Sequence, residues 1–303
     1  MSNSEEFGDW LSTVRGDTTV IVSEHRPVPL DQWMMLGRKI YPLFEPESGG
    51  QVNAELERRI QRLEAGDTGD GRADYKSGKG FRARARHKGG GRSEFHGKGR
   101  GRSGAARKQD RYRPLGRPEV LKVLQSQDML PAITFIFSRA GCDGALYQCL
   151  RSRMVLTSQE EAQEIKDIVD AGVEGIPEED LQVLDFKRWR EALSRGFAAH
   201  HAGMLPAFRH IVEDLFVRGL VRAVFATETL ALGINMPART VVLEKLIKFN
   251  GEAHVDLTAG QYTQLTGRAG RRGIDTLGNA VVQWAPAMDP RQVAGLASTR
   301  TYP

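Results

Sequence analysis

Two arginines near the end of the chain have the spacing of a phosphate-binding pair. Arg268 and Arg271 lie three residues apart within residues 264–273, and Gly267 and Gly270 each precede one of them. On a helix this spacing would place both guanidinium groups on one face, and the glycines would let backbone or phosphate come close. A guanidinium donates two parallel hydrogen bonds to phosphate and stabilises the charge of a γ-phosphoryl group in transfer. A solvated basic helix end is the alternative interpretation.

A second set of candidates follows apolar segments that read as buried strands. These are Ser138 and Arg139 after residues 132–137, His201 and Gly203 after residues 197–200, and Thr227 after residues 221–226. Hydroxyl groups, guanidinium groups and the backbone amides of a helix N-terminus all bind phosphate, so we predict phosphate contacts at these positions. Helix capping by Ser138 is an equally good interpretation.

The loop after Thr227 holds two further candidates. Gly233 allows a ligand to approach the backbone closely, and Asn235 offers an amide to a ribose hydroxyl or to a neighbouring side chain. An ordinary strand–loop–helix junction would have the same residues, so this segment alone does not decide between function and structure.

Metal and disulfide chemistry are not indicated. His200 and His201 are adjacent and should point in different directions, and no Cys or carboxylate completes a ligand set, so we predict no metal site. Cys142 and Cys149 lie seven residues apart, which suits reduced, partly buried thiols. The 303 residues contain neither an apolar run of membrane-spanning length nor a signal peptide pattern, so we expect a cytoplasmic protein.

The positive charge of the chain is concentrated in one segment. Residues 66–117 hold 16 Lys and Arg against 5 Asp and Glu, a net charge of +11, whereas the whole chain carries only +5. The segment is rich in Gly and poor in apolar residues, so we predict a disordered insertion. It could bind phosphates while Phe81 and Phe95 stack on bases, or it could be a solvated, flexible insertion.

The remainder of the chain alternates strand-like and helix-like segments. We predict strands at residues 18–23, 132–137, 197–200, 221–226, 240–243 and 279–284. We predict helices at residues 30–44, 53–63, 143–151, 158–171, 186–194, 205–217 and 259–270. Asn53 could be the N-cap of the second helix. This alternation indicates an α/β fold with a mostly parallel sheet that helices cover on both faces. Ligands of such sheets bind at the carboxyl ends of the strands.

These segments together resemble the second RecA-like domain of superfamily 2 helicases, in particular the superkiller-like group and its actinobacterial branch. Residues 135–139 resemble motif IV, and residues 200–205 resemble the strand-contacting motif that follows it. Residues 226–238 resemble motif V, and residues 264–271 resemble motif VI. The match runs in the same order and with similar spacing from about residue 132 to residue 284.

The resemblance implies a role for each candidate residue. Arg271 would be the arginine finger, Arg268 a second γ-phosphate contact and Gln264 a nucleotide sensor. Asn235, with Gly233 near it, matches a position that touches the ribose or links the nucleotide to nucleic acid, although some relatives have an acid there. The residues that would grip the backbone of the tracking strand are Ser138, Arg139, His201, Gly203 and Thr227.

The resemblance also implies what the chain lacks. A phosphate-binding loop needs the pattern Gly-x-x-x-x-Gly-Lys-Ser/Thr, and the nearest matches, at Lys79 and Lys98, have Ala73 and Arg92 in place of the first glycine. No Asp-Glu-x-His is present. We therefore expect ATP and Mg²⁺ to be held by a missing first RecA-like domain, and the isolated chain to be inactive.

Four segments are expected from these features. Residues 1–65 would be an N-terminal segment from the end of the first motor domain, residues 66–117 the basic insertion, residues 118–285 the helicase domain, and residues 286–303 a linker. The expected function is that of the second motor domain of a 3′-to-5′ helicase acting on RNA or DNA. The alternative is a non-catalytic fragment that binds nucleic acid through its basic segment.

Overall fold

The computed structural model describes residues 4–16, 19, 26–46, 50–65, 112–232 and 236–299. Apart from Thr19, the strand expected at residues 18–23 lies outside the described residues. So does most of the basic segment, residues 66–111.

The described residues form a sheet of seven strands flanked by helices, with a separate two-stranded hairpin. The strands are β1 (Leu30–Leu36), β2 (Lys39–Pro42), β3 (Ala132–Phe135), β4 (Phe197–His200), β5 (Ala223–Ala226), β6 (Thr240–Leu243), β7 (Ile247–Phe249), β8 (His254–Asp256) and β9 (Gly278–Gln283). The helices are α1 (Ser4–Arg15), α2 (Ala54–Glu64), α3 (Arg117–Ser126), α4 (Arg139–Arg151), α5 (Gln159–Gly172), α6 (Glu178–Val183), α7 (Phe186–Ser194), α8 (Pro206–Val217), α9 (Ala259–Thr266) and α10 (Pro290–Ser298). A short 3₁₀ helix, Glu228–Leu232, follows β5.

The large sheet has the order β2-β1-β9-β6-β3-β5-β4, and β7 pairs with β8 in the hairpin. All neighbours in the large sheet are parallel except β1 and β2. Every residue of β3, β4, β5 and β6 is buried, because helices cover both faces of the sheet at these strands. The predicted α/β fold is therefore confirmed.

Each face of the sheet has its own hydrophobic core. On one face, residues of α2, α5, α7, α8, α9 and α10 pack against the strands. On the other, α3 and α4 supply most of the packing. Cys142 and Cys149 lie in this second core as free thiols, and burial raises the pKa of each to about 12. These cysteines are therefore packing residues with little thiolate character.

The helix predicted for residues 30–44 is wrong. This segment forms β1 and β2, which turn at Gly37, where φ is +56°. Its apolar residues have helix-like spacing, but β1 instead completes the hydrogen bonding of β9, which would otherwise be an exposed edge. Met34 and Met35 are both fully buried, one in each core, as expected for successive residues of a strand.

Most other predicted elements occur with shifted ends. Helix α2 begins after Asn53, whose side-chain oxygen accepts hydrogen bonds from the N–H groups of Glu55 at 2.9 Å and Leu56 at 3.0 Å, as the sequence predicted. Sequence reasoning missed α1, α3, α6, α10 and the β7–β8 hairpin. Strands β1 and β2, which lie in the predicted N-terminal segment, share a sheet with β3–β6 and β9. The predicted division of the chain at residues 65, 117 and 285 stays a prediction.

Strand β1 should contribute strongly to stability, because its second half, residues 34–36, is buried on both faces. We expect Met35→Ala to lower the free energy of unfolding by about 2–5 kcal/mol, the usual cost of a large cavity in a core. Asp31→Ala, on the exposed part of the same strand, should change it by less than about 0.5 kcal/mol. Urea denaturation of both variants measures the difference, and equal costs would contradict this account of β1.

Candidate nucleotide and nucleic-acid sites

The five residues predicted to grip nucleic acid lie together at the carboxyl ends of β3, β4 and β5. Ser138 caps α4, where its hydroxyl accepts a hydrogen bond from the Gly141 N–H at 3.2 Å. Arg139 crosses in front of Gly203, and a Cβ on that glycine would lie 3.3 Å from Cδ of the arginine. The Thr227 N–H donates to the His200 carbonyl at 3.3 Å, which brings the third loop to the second.

These residues differ in what they offer to a ligand. Ser138, Arg139 and Gly203 are exposed, and Thr227 is partly exposed, with its hydroxyl 2.9 Å from that of Thr229. His201 is buried, with its Nε2 3.0 Å from the Asp143 carboxylate and its Nδ1 accepting from the Gly203 N–H at 3.2 Å. Nε2 of His201 therefore ties the loop to α4, and Nδ1 fixes the turn of the loop itself.

His200 points away from His201, as the sequence indicated. Its Nε2 lies 2.8 Å from the carboxylate of Glu213 on α8, and burial lowers the pKa of its imidazole. In the part of the chain that the structure describes, no group of three or more His, Cys, Asp or Glu side chains could hold a metal ion.

The prediction that Arg268 and Arg271 share one helix is wrong. Helix α9 ends at Thr266 with Gly267 as its C-cap, and Gly270 has a φ of +87°. The backbone after Gly267 pairs with residue 238 instead of continuing the helix, since the Ala238 N–H donates to the Arg268 carbonyl at 2.9 Å and the Gly270 N–H to the Ala238 carbonyl at 2.7 Å. This pairing holds residues 267–271, the arginine segment, at the starts of β6 and β9.

Each arginine side chain has its own protein partner. Arg268 donates from Nη2 to the carbonyl of Ala231, in the 3₁₀ helix after β5, and burial lowers the pKa of its guanidinium. Arg271 donates from Nε and Nη2 to the two carboxylate oxygens of Asp275, at 2.8 and 2.9 Å. The two guanidinium groups thus lie in one segment, but each is fixed by a different element.

Asp275 is a functional candidate that sequence reasoning missed. Its side chain is only 1% exposed, and it also accepts from the Arg271 N–H at 2.9 Å and from Nε of Arg239 at 3.1 Å. Burial alone would raise the pKa of this carboxyl, but the hydrogen bonds from both arginines outweigh it and lower the pKa to about 2. The available signal was an acidic residue four positions after Arg271, together with Arg239 directly before an apolar strand.

The remaining nucleotide candidates fall in two places. Gln264 is exposed on α9 and lines a small cleft with Glu228, Lys248, Gln261 and Leu265. Lys248 and Glu228 form an ion pair of 2.7 Å there. Gly233 and Asn235 lie outside the described residues.

Comparison with known proteins identifies the type of domain. Residues 176–273 match the helicase conserved C-terminal domain, a span that includes both arginines and the loops at the ends of β4 and β5. The chain is 57% identical over 309 residues to the probable helicase HelY of Mycobacterium tuberculosis, a match that covers all of this chain and 31% of HelY. This chain belongs to the superkiller-like helicases.

Other members of the superkiller-like helicases are more distant. The chloroplastic DExH-box ATP-dependent RNA helicase DExH15 of Arabidopsis thaliana is 36% identical, across 93% of this chain and 24% of its own length. Human superkiller complex protein 2 is 33% identical, across 92% of this chain and 21% of its own length. The chain thus spans at most about a third of these helicases and contains their C-terminal RecA-like domain.

In the described residues, no helix has both the length and the apolar character needed to cross a membrane.

Gly270 is closely enclosed where the arginine segment packs on the rest of this helicase domain. A Cβ at this position would lie 2.7 Å from Cγ1 of the buried Val28 and 3.3 Å from Cα of Gly278. Arg26 adds a second tie, because it donates to the carbonyls of Ala269 and Val28. The segment is therefore wedged between residues 26–28 and the start of β9.

We expect Gly270→Ala to destabilise the protein more than Gly273→Ala. Both glycines have positive φ, at +87° and +77°, and the strain of an alanine in such a conformation costs about 1–2 kcal/mol. Only Gly270 is also enclosed, so overpacking adds about 1–3 kcal/mol there, whereas Gly273 faces open space. Thermal or urea unfolding of the two variants measures the difference, and equal stabilities would argue against the wedged geometry.

Proposed function

We propose that this chain is the second motor domain of a nucleic-acid helicase that moves 3′ to 5′, with Arg271 as its arginine finger. The proposal is carried by the arginine segment, in which two guanidinium groups lie three residues apart in the chain and each has its own protein partner. ATP and its Mg²⁺ would be bound by a first motor domain outside these residues, since the 303 residues contain no phosphate-binding loop.

ATP hydrolysis would supply the energy for movement, and the residues of this chain would sense and stabilise the phosphates. Arg271 would donate hydrogen bonds to the γ-phosphoryl oxygens, where negative charge must be stabilised during transfer. Arg268 would make a second contact, and Gly267 would let the phosphates approach its backbone. Gln264 would respond to the bound nucleotide, and the loop with Gly233 and Asn235 would contact the ribose.

The opposite edge of the sheet would hold the tracking strand. Ser138, Arg139, Gly203 and Thr227 present hydroxyl, guanidinium and backbone groups that suit phosphates. His201 would act by holding its loop, since both of its ring nitrogens are already bound. Contacts of this kind read the backbone and not the base edges, so RNA and DNA both fit them. Two reduced, buried thiols suit a cytoplasmic location.

The proposed role of Arg271 can be tested directly in the full-length protein with its nucleotide-binding domain. We expect Arg271→Ala to lower kcat for ATP hydrolysis by about 10³–10⁵-fold while ATP binding changes little, as for other arginine fingers. Steady-state ATPase kinetics with saturating nucleic acid, together with nucleotide titration, measure the two effects.

The neighbouring Arg272→Ala is the matched control, because it removes the same charge from an exposed position one residue away. It should leave kcat close to that of the unmodified protein. Normal hydrolysis by Arg271→Ala would refute the arginine-finger assignment.

A second candidate function is nucleic-acid binding through the basic segment alone. The observation that favours this second function is the net charge of +11 on residues 66–117. Tyr112, near the end of the basic segment, is anchored to the folded domain. Its ring packs on Trp284 with centroids 4.7 Å apart, and its hydroxyl accepts a hydrogen bond from the Gly37 N–H at 2.8 Å. This anchor lies at the carboxyl ends of β9 and β1, the same edge as the proposed strand contacts.

Deletion of residues 66–111 separates the two candidate functions. If the basic segment provides the binding, the deletion should remove most affinity for single-stranded nucleic acid and flatten the slope of log K against log salt. Fluorescence anisotropy across a salt series measures both. Unchanged affinity would assign binding to the folded loops and exclude the second candidate.

A further inference from the structure

A buried carboxylate connects the proposed arginine finger to the body of the domain. Asp275 accepts three hydrogen bonds from Arg271, one from the backbone N–H and two from the guanidinium group. Its own N–H donates back to the Arg271 carbonyl at 2.9 Å, so the two residues close a single tight turn. The carboxylate is 1% exposed and the arginine side chain 20% exposed.

The guanidinium group is held along one edge only. Nε and Nη2 of Arg271 both face Asp275, and within the described residues Nη1 has no hydrogen-bond partner. A guanidinium group has five N–H donors in a rigid planar fork, so fixing one edge also fixes the direction of the remaining donors. An unsupported arginine would lose the freedom of several rotatable bonds each time it met a phosphate.

Arg239 completes the site from another element. It lies directly before β6 and bonds Asp275 from Nε at 3.1 Å, while its Nη1 bonds the carbonyl and carboxylate of Asp128 at 2.7 and 2.8 Å. The buried Asp275 therefore keeps a cationic partner even when Arg271 shares its charge with an anionic ligand. Without Arg239, such sharing would leave a buried carboxylate poorly compensated.

We propose that Asp275 is a positioning residue that orients the Arg271 guanidinium towards the γ-phosphate, with Arg239 holding Asp275 in place. The inference rests on the proposed function, because it assigns to Asp275 no contact with ATP and acts only through Arg271. It explains why a carboxylate lies beside a residue whose proposed task is to bind an anion: the carboxylate fixes one edge of the fork and leaves the other for the ligand.

The test is a double-mutant cycle in the full-length protein. Asp275→Asn preserves the shape of the side chain but removes its charge and one acceptor, so we expect kcat for ATP hydrolysis to fall about 10²-fold with little change in ATP affinity. Combined with Arg271→Ala, the same substitution should lower kcat no further than Arg271→Ala does alone. Melting temperatures of all variants show whether each one folds.

Asp128→Asn is the matched control. The substitution removes the other carboxylate partner of Arg239, and the Asp128 side chain is 95% exposed. Among the described residues, no hydrogen bond or ion pair joins Asp128 to Arg271. We expect its kcat to equal that of the unmodified protein. If Asp275→Asn does not fold, Asp275→Glu keeps the charge but displaces it by one methylene, and it should also lower kcat without lowering ATP affinity.

The possible failures are distinguishable. If Arg271→Ala hydrolyses ATP normally, the proposed function itself fails. If Arg271→Ala is inactive but Asp275→Asn turns over normally, the arginine finger stands and the positioning role is wrong. If Asp275→Asn lowers kcat by the same factor with and without Arg271, Asp275 acts on the fold as a whole, and the inference is also overturned.

Discussion

Parallel pairing of the central strands is the constraint on which the rest of this structure depends. Parallel neighbours cannot be joined by tight turns, so each strand must return through a crossover that packs on the sheet. The carboxyl ends of β3, β4 and β5 therefore meet at one edge, and the helix α9 carries the chain back to the other. The two proposed chemistries occupy these two edges: backbone binding near Ser138 and Thr227, and phosphate sensing near Arg271.

The arginine segment lies at an unusual place for a ligand-binding element of such a sheet. Ligands of open α/β sheets usually bind at the carboxyl ends of the strands, whereas Gly270 lies against the first residue of β9 and beside residue 238, just before β6. This position suits a domain that completes the site of another domain. Its arginines then need support from within, which Ala231, Asp275 and Arg239 provide.

The segment that follows β5 makes hydrogen bonds near both ends of the sheet. The loop after β5 begins at Thr227, beside His200, and continues into the 3₁₀ helix whose Ala231 carbonyl binds Arg268. On the far side of residues 233–235, Ala238 pairs with Arg268 and Gly270. The described residues on either side of 233–235 thus contact both the proposed nucleic-acid side, at His200, and Arg268 and Gly270.

The sequence alone determined the fold class, the order of the central elements and the helicase family. Apolar runs such as residues 240–243 and caps such as Asn53 are local patterns, and local patterns survive in the folded state when tertiary contacts agree with them. The candidate residues were also found locally, because each follows a strand or lies among glycines.

Tertiary structure decided what local patterns could not. Residues 30–44 became strands because β9 had unpaired backbone groups, a fact that no window of the sequence contains. Helix α9 stopped before Arg268 because the backbone of residue 238 offered the next hydrogen bonds. The partners of Arg271 and His201 likewise depend on side chains meeting in space. Long-range hydrogen bonds of buried groups are satisfied only by the complete fold, and they set the directions in which the functional side chains point.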